Sequence, residues 1–302
     1  MRYHIRHVTE YRYPERVGLC HNVTRLTPRA TPRQRCVLAS VTCDPVPAYW
    51  SDREDFFGNR VNFLTIEQPH TVFRVVADSQ VEILTAPDEL DLQRDTPWDE
   101  VRDCLDSGVS GAVLDARLYR LWSPRIPALP ELIDYARPSF EPGRPLREAV
   151  SDLMARIHGD FDYDPGFTTV STPLATVLEH RKGVCQDFAH LAIGCLRAMG
   201  LATRYVSGYL ETRPPPGQER LQGADASHAW FAVFDPGQGW LEFDPTNNVI
   251  PMERHITLAW GRDYTDVSPL KGVLFGGGES HGLTVAVDVV AEVGSENREV
   301  GR

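Results

Sequence analysis

The first 85 residues alternate short apolar runs with turn formers. Residues 3–13 are rich in Tyr, Ile, Val and Thr, residues 37–43 form a second run, and residues 61–67 and 71–77 flank a Gln68-Pro69-His70 break. Phe57-Gly58-Asn59-Arg60 carries the glycine and asparagine of a tight turn. This pattern predicts several short strands in a β-sandwich-like module, one without evident chemistry of its own. From Pro87 to Pro145 the period lengthens. Val113, Leu114, Leu118, Leu121 and Trp122 share one helical face. Leu146, Val150, Leu153, Met154 and Ile157 share another, with Pro145 at the start and Gly159 as the stop. Both read as packing helices. The composition shift divides the chain into residues 1–86 and 87–302. The second unit ends in a β extension, where residues 283–293 are nearly continuous in β-branched side chains and predict a well-buried strand. The last nine residues are polar and are expected to fray.

Residues 183–200, GVCQDFAHLAIGCLRAMG, carry the strongest helical pattern. Phe188, Leu191, Ala192, Cys195, Leu196 and Met199 follow i, i+3, i+4, i+7 spacing, and Gly200 supplies the stop. Cys185 therefore falls in the first turn, where the partial positive charge of the helix end favours a thiolate. Cys195 falls inside the apolar stripe and reads as core. Asp187 is an acid where the helix dipole alone favours one. His190, about 140° round the helix from Cys185, is read as packing or surface.

Residues 202–211 predict a strand, and a long polar loop with three prolines follows from Arg213. Residues 227–234, the turn Asp235-Pro-Gly-Gln-Gly239 and residues 240–244 then read as a β-hairpin. Closing it at Phe234 and Gln238 places Trp230 opposite Glu242 and His228 opposite Asp244, with Cβ atoms ~4.5–5.5 Å apart. A carboxylate at that range holds one imidazole nitrogen and fixes the tautomer of the other. Trp230 and Trp240 read as hairpin packing. A thiol at a helix start, a histidine at a strand start and an aspartate opposite it make the set a nucleophile, a base and an orienter require.

Composition narrows the partners. The 302 residues are 42% hydrophobic and 24% charged, which excludes disorder as the main state. A formal net charge of −11, with the acids dispersed, argues against nucleic-acid binding. No run approaches the ~18 apolar residues of a membrane span, and MRYHIRHVTEYRY lacks a signal-peptide core, so no membrane partner and a cytoplasmic location are expected. Cys20, Cys36, Cys43, Cys104, Cys185 and Cys195 show no C-x-x-C spacing and read as free thiols. Gly276-Gly277-Gly278 lacks the Lys-Ser/Thr of a phosphate loop. No cofactor and no metal are implied.

Gly183-Val-Cys-Gln-Asp-Phe-Ala189, Tyr205-Val-Ser-Gly-Tyr209, Ser227-His-Ala-Trp230 and Gly239-Trp-Leu-Glu-Phe-Asp-Pro-Thr246 resemble the core of the transglutaminase-like superfamily, and more narrowly its bacterial cysteine-protease-like members. The N-terminal strands resemble the β-module that accompanies this core in bacteria. The resemblance implies an α+β fold, with a papain-like core in which a Cys-bearing helix packs on an antiparallel sheet. It implies Cys185 as nucleophile, His228 as base and Asp244 as orienter, acting on a peptide or protein substrate. The Cys185 N–H is the expected oxyanion donor, with Tyr163 as a guess for the second. With water as acceptor the protein is a peptidase or amidase, and with an amine it is a transglutaminase. Water is favoured, because no dedicated amine site is evident. The alternative from another class is a non-catalytic scaffold that docks a protein partner through the N-terminal module.

Overall fold

The computed structural model of the chain describes residues 1–84, 95–212 and 226–292. The predicted N-terminal strands form, but the first runs far beyond residue 13. β1 (Arg2–Thr24) pairs along its first half with β5 (His70–Ile83) and β13 (Gly282–Glu292), and along its second half with β4 (Arg60–Ile66) and β12 (Leu270–Gly276). β2 (Gln34–Asp44) extends the sheet beyond β5, and β3 (Tyr49–Glu54) extends it beyond β4. The β1–β5 register breaks between Arg12 and Val17, around Pro14, which has no N–H to give a ladder. The seven strands enclose a core that includes Tyr3, Ile5, Leu64, Ile66, Phe73 and Val75. This is the sandwich-like module that the alternation predicts.

Two expectations need correction. The strand at the C-terminus is not well buried. Val287 and Val289 of β13 reach the core, but Leu283, Val285 and Val290 are exposed, because β13 is an edge strand that pairs only with β1 among the described residues. β12 and β13 also show that the expected β extension of the second unit is built into the sheet of the first. The last nine residues lie outside the described residues. The second correction concerns residues 113–122. α2 (Gly111–Arg117) buries Val113 and Ala116, whereas Leu114, Leu118, Leu121 and Trp122 are exposed. The helix stops where the Arg117 guanidinium turns back to the carbonyls of Leu105, Asp106 and Gly108, and a short 3-10 turn redirects the stripe to solvent.

The remaining helices are α1 (Trp98–Ser107), α3 (Pro130–Ala136), α4 (Leu146–Asp160), α5 (Leu174–His180), α6 (Cys185–Ala198) and α7 (Tyr264–Val267). α4 buries all five residues of its predicted face and runs through Gly159 to Asp160. α6 packs between α3, α4 and α5 on one side and a four-stranded antiparallel sheet on the other. That sheet has the order β10 (Gly239–Phe243), β9 (Ala226–Asp235), β8 (Thr203–Leu210), β11 (His255–Gly261). Every residue of α6 from Gln186 to Arg197 is buried. Arg197 is tolerated there because its guanidinium donates to the carbonyls of Tyr119, Thr203 and Arg262 and to the Ser123 hydroxyl. Among the described residues no helix is long and apolar enough to cross a membrane.

Amide side chains lock the two sheets together. β11 is the edge of the four-stranded sheet, and two residues of the N-terminal unit complete its outer backbone. Gln34 donates to the Thr257 carbonyl and accepts its N–H, both at 2.7 Å. Asn59 does the same for Trp260, at 2.8 and 2.9 Å. Each amide replaces one rung of a missing strand, which meets the demand of buried backbone groups for partners.

Candidate active site

Cys185 opens α6 on a cradle built by its neighbours. A two-residue parallel pairing, β6 (Asp162–Tyr163) with β7 (Lys182–Gly183), delivers the chain to the helix start. Asp187 accepts the Val184 N–H at 2.9 Å and the Thr168 hydroxyl at 2.7 Å. It is therefore a buried structural acid whose carboxyl is pushed up by burial, with those hydrogen bonds opposing. A Cβ on Gly183 would lie 2.8 Å from Asp187, so the close approach requires glycine there. Cys195 is buried in the apolar stripe as expected, with its thiol pushed well up by burial.

His228 is the third residue of β9 and Asp244 follows the last residue of β10. The hairpin closes at Asp235 and Gly239, one residue on each side from the predicted register, so Asp244 is diagonal to His228 and not directly opposite. The cause lies in the turn. The Asp235 carboxylate accepts the N–H groups of Gly237 and Gln238, and Gly239 adopts φ +82°, which builds a three-residue loop. A two-residue slip preserves the face on which each side chain lies. His228 Nε2 consequently still sits 2.8 Å from Asp244 Oδ2. The Cys185 side chain lies close enough to the imidazole to favour its charged form. The three residues singled out in the sequence meet.

Electrostatics follow from this contact. Burial alone would lower the His228 pKa, but Asp244 and Cys185 outweigh it and raise the value to about 10. Asp244 is fully buried, which favours its neutral form, yet its donors win and hold the carboxyl well below the usual range. Oδ1 accepts the N–H groups of Thr246 (3.0 Å) and Asn247 (3.2 Å), and Oδ2 accepts Asn247 Nδ2 at 2.7 Å. A second imidazole completes the cluster: His255 Nε2, at the start of β11, lies 3.0 Å from Oδ2.

The sequence reading passed over His255 and Asn247. Asn247 was within reach of it, since Asp-x-x-Asn after a strand is the signature of an aspartate bonding the backbone that follows. His255 was not, because its place depends on β11 returning beside β8. The ligand atoms of His228, Asp244 and His255 lie within 4.8 Å of one another, a spacing that a metal ion could span. Each of them is already engaged in hydrogen bonds on Asp244, so the donor set reads as a proton-sharing cluster.

Other candidates fall outside the cluster. His190 is held by the Tyr264 N–H at 3.2 Å and packs on Tyr205; burial pushes its pKa down to about 3. Trp230 is buried beneath the two histidines, its indole N–H donating to Glu242 at 3.0 Å. Gly208 makes room for it, since a Cβ there would come within 2.4 Å of the indole. Trp240 packs on Tyr119 and Phe234. Tyr163 is 56% exposed on β6, packs on Phe188, and lies close enough to Cys185 that the thiol adds to the upward pull of burial on the phenol.

Residues 3–82 match the family described as bacterial transglutaminase-like N-terminal region, and residues 133–245 match the transglutaminase-like superfamily. An uncharacterised Mycobacterium tuberculosis protein is 43% identical over 295 residues, covering 96% of this chain and 92% of its own length. The chain belongs to the transglutaminase-like superfamily. A crystal structure of a candidate cysteine protease from Cytophaga hutchinsonii shares the fold, with a TM-score of 0.75 at 21% identity over 97% of this chain and 92% of that one. A Pseudomonas aeruginosa protein-glutamine gamma-glutamyltransferase is 28% identical over 158 residues, 45% of this chain and 24% of that protein. In this transglutaminase-like chain, the matched core contains Cys185, His228 and Asp244, whereas His255 lies beyond it.

Proposed function

We propose that this protein is a cysteine-dependent acyl-transfer enzyme acting on peptide or amide bonds, with water as the usual acceptor. The observation that carries this reading is the single imidazole of His228, bonded to a buried carboxylate and close to a thiol at a helix start. Cys185 Sγ, its proton passed to His228 Nδ1, attacks the amide carbonyl carbon, and the carbonyl electron pair moves to oxygen beside the free N–H groups of the first turn of α6. When the C–O bond reforms, the C–N bond breaks and His228 Nδ1 gives its proton to the leaving amine. Water then adds to the thioester, giving a proton to Nδ1, and the C–S bond breaks to release the acid while that proton returns to Sγ. Asp244 keeps Nε2 protonated throughout.

The amine-transfer reading draws on the Pseudomonas relative, whose described activity is on protein glutamine. Hydrolysis is favoured because water is the default acceptor and no dedicated amine site is evident, and Tyr163, beside Cys185, is itself exposed to solvent. The polar loop that supports the same view in the sequence, residues 213–225, lies outside the described residues. A peptide library incubated with and without a millimolar primary amine tests both readings. The expected products are free acids, with amine conjugates as a minor fraction by mass spectrometry. A majority of conjugates reverses the choice of acceptor. Absence of any product, with Cys185 no faster toward iodoacetamide than the other thiols, leaves a scaffold.

A further inference from the structure

Asp244 is bonded by two histidines, and the proposed mechanism uses only one of them. His255 donates nothing to substrate chemistry in that scheme, yet its side chain is 7% exposed, about as buried as His228 at 8%. It sits on an element held on both edges: β8 pairs with it on one side, and the Gln34 and Asn59 amides complete it on the other. Its Nδ1 is buried without a partner, while Nε2 lies 3.0 Å from Asp244 Oδ2. A single ring proton is therefore placed on Nε2, where it has an acceptor, and a second proton on Nδ1 would have none.

We infer that His255 is a positioning residue, a second Nε2–H donor on Asp244 that holds the carboxylate ionised and in place, so that the shared proton stays on His228. This rests on the reading of His228 as the base. The argument is one of competition for a proton. His228 Nε2 and Asp244 Oδ2 are 2.8 Å apart, and the proton between them can reside on either atom. Each further donor to Oδ2 favours the carboxylate over the carboxylic acid. Asn247 supplies one such donor and His255 the other. Trp230 lies edge-on to His255 with ring centres 5.2 Å apart, an uncharged wall that fixes the ring plane. The other titratable groups around the cluster have partners elsewhere: Arg254 with Glu211, Glu242 with the Trp230 indole, and His158 with the Thr246 carbonyl. Cys185 and Asp244 both act on His228.

Two measurements that need no substrate test this, so a failed search for amide products leaves them intact. The first is the long-range imidazole NMR spectrum of the Cys185→Ala protein. His255 is expected as the Nε2–H tautomer, and the Nδ1–H tautomer would overturn the inference because Nε2 could then donate nothing. The second is the pH profile of iodoacetamide alkylation at Cys185. His255→Phe keeps the ring and removes the donor, and should move the acid limb up by about one pH unit, as the proton enters the Cys185–His228–Asp244 set more readily. His255→Gln can present an amide N–H to Oδ2 and should restore the limb toward wild type. A wild-type profile in His255→Phe, or a Gln variant no better than Phe, overturns the role. If the Phe variant is unfolded by circular dichroism, the Gln variant and the tautomer decide.

Discussion

Two histidines, one on each sheet, are buried alike and driven in opposite directions. His7 on β1 of the seven-stranded sheet is pushed down to about 4 by burial, its ring nitrogens 3.0 Å from the hydroxyls of Tyr209 and Thr9. His228 on β9 of the four-stranded sheet is raised to about 10 despite burial. Neutral hydroxyls satisfy the first ring without favouring its charged form, whereas a carboxylate and a thiol favour the charged form of the second. Burial alone therefore makes a structural histidine. An ionised partner turns the same side chain into a proton carrier.

The largest effect that this contrast predicts is at the thiol. Cys185→Ala should abolish turnover of any amide substrate while the far-ultraviolet circular dichroism and thermal midpoint stay close to wild type, because the residue is only half-buried and a methyl fits the helix start. Retained turnover in the purified variant would remove Cys185 from the mechanism.

Converting the second site toward the first comes next. Asp244→Asn keeps the shape and removes the charge, so rates should fall on the order of 10–10⁴-fold. The His228 pKa should drop from about 10 toward or below 6.5 in an NMR titration, since burial persists and its main opponent is gone. The stability consequence has a definite sign. A histidine raised above its unfolded value stabilises fully below about pH 6.5, and that contribution is lost as pH rises through about 10. Urea midpoints of the wild type should therefore fall between pH 7 and 10.5, and those of Asp244→Asn should fall less. Parallel curves would mean that the pair is not coupled to folding.

How much of this was legible in the sequence depends on the distance over which order must be read. The apolar stripe of α6 and the Gly200 stop are local, so Cys185 could be placed at a helix start from spacing alone. The hairpin was off in register by one residue on each strand, because whether Asp235 enters the turn depends on its carboxylate bonding two N–H groups. The face survived the error because side chains alternate with a period of two. His255 depends on β11 lying beside β8, on a register shift between Thr257 and Ala259, and on Gln34 and Asn59, which are more than 190 residues away in the chain. Nothing in a local window encodes those contacts. The exposed residues of β13 were missed for a related reason: β-branched composition signals a strand, and the number of its neighbours decides whether it is buried.

The smallest predicted effect is on the first histidine and has no direct bearing on chemistry. His7→Phe fills the site with an apolar ring but strands the Tyr209 and Thr9 hydroxyls, which should cost about 1–3 kcal/mol at pH 7. Its pH dependence runs opposite to that of His228. A histidine held at about 4 when folded and 6.5 when unfolded lets the unfolded chain take up protons first, so wild-type stability is lost as pH falls from about 6.5 toward 4. His7→Phe should flatten part of that acid-side loss in urea titrations, with His190, held at about 3, contributing a further share. Amide turnover per folded molecule should stay at the wild-type value, because Tyr209 lies next to Gly208 on β8 and touches neither Cys185 nor Asp244 through any bond described above. A fall in turnover without a fall in folded fraction would show that the module interface reaches the site, and that the two histidines are less independent than their opposite shifts imply.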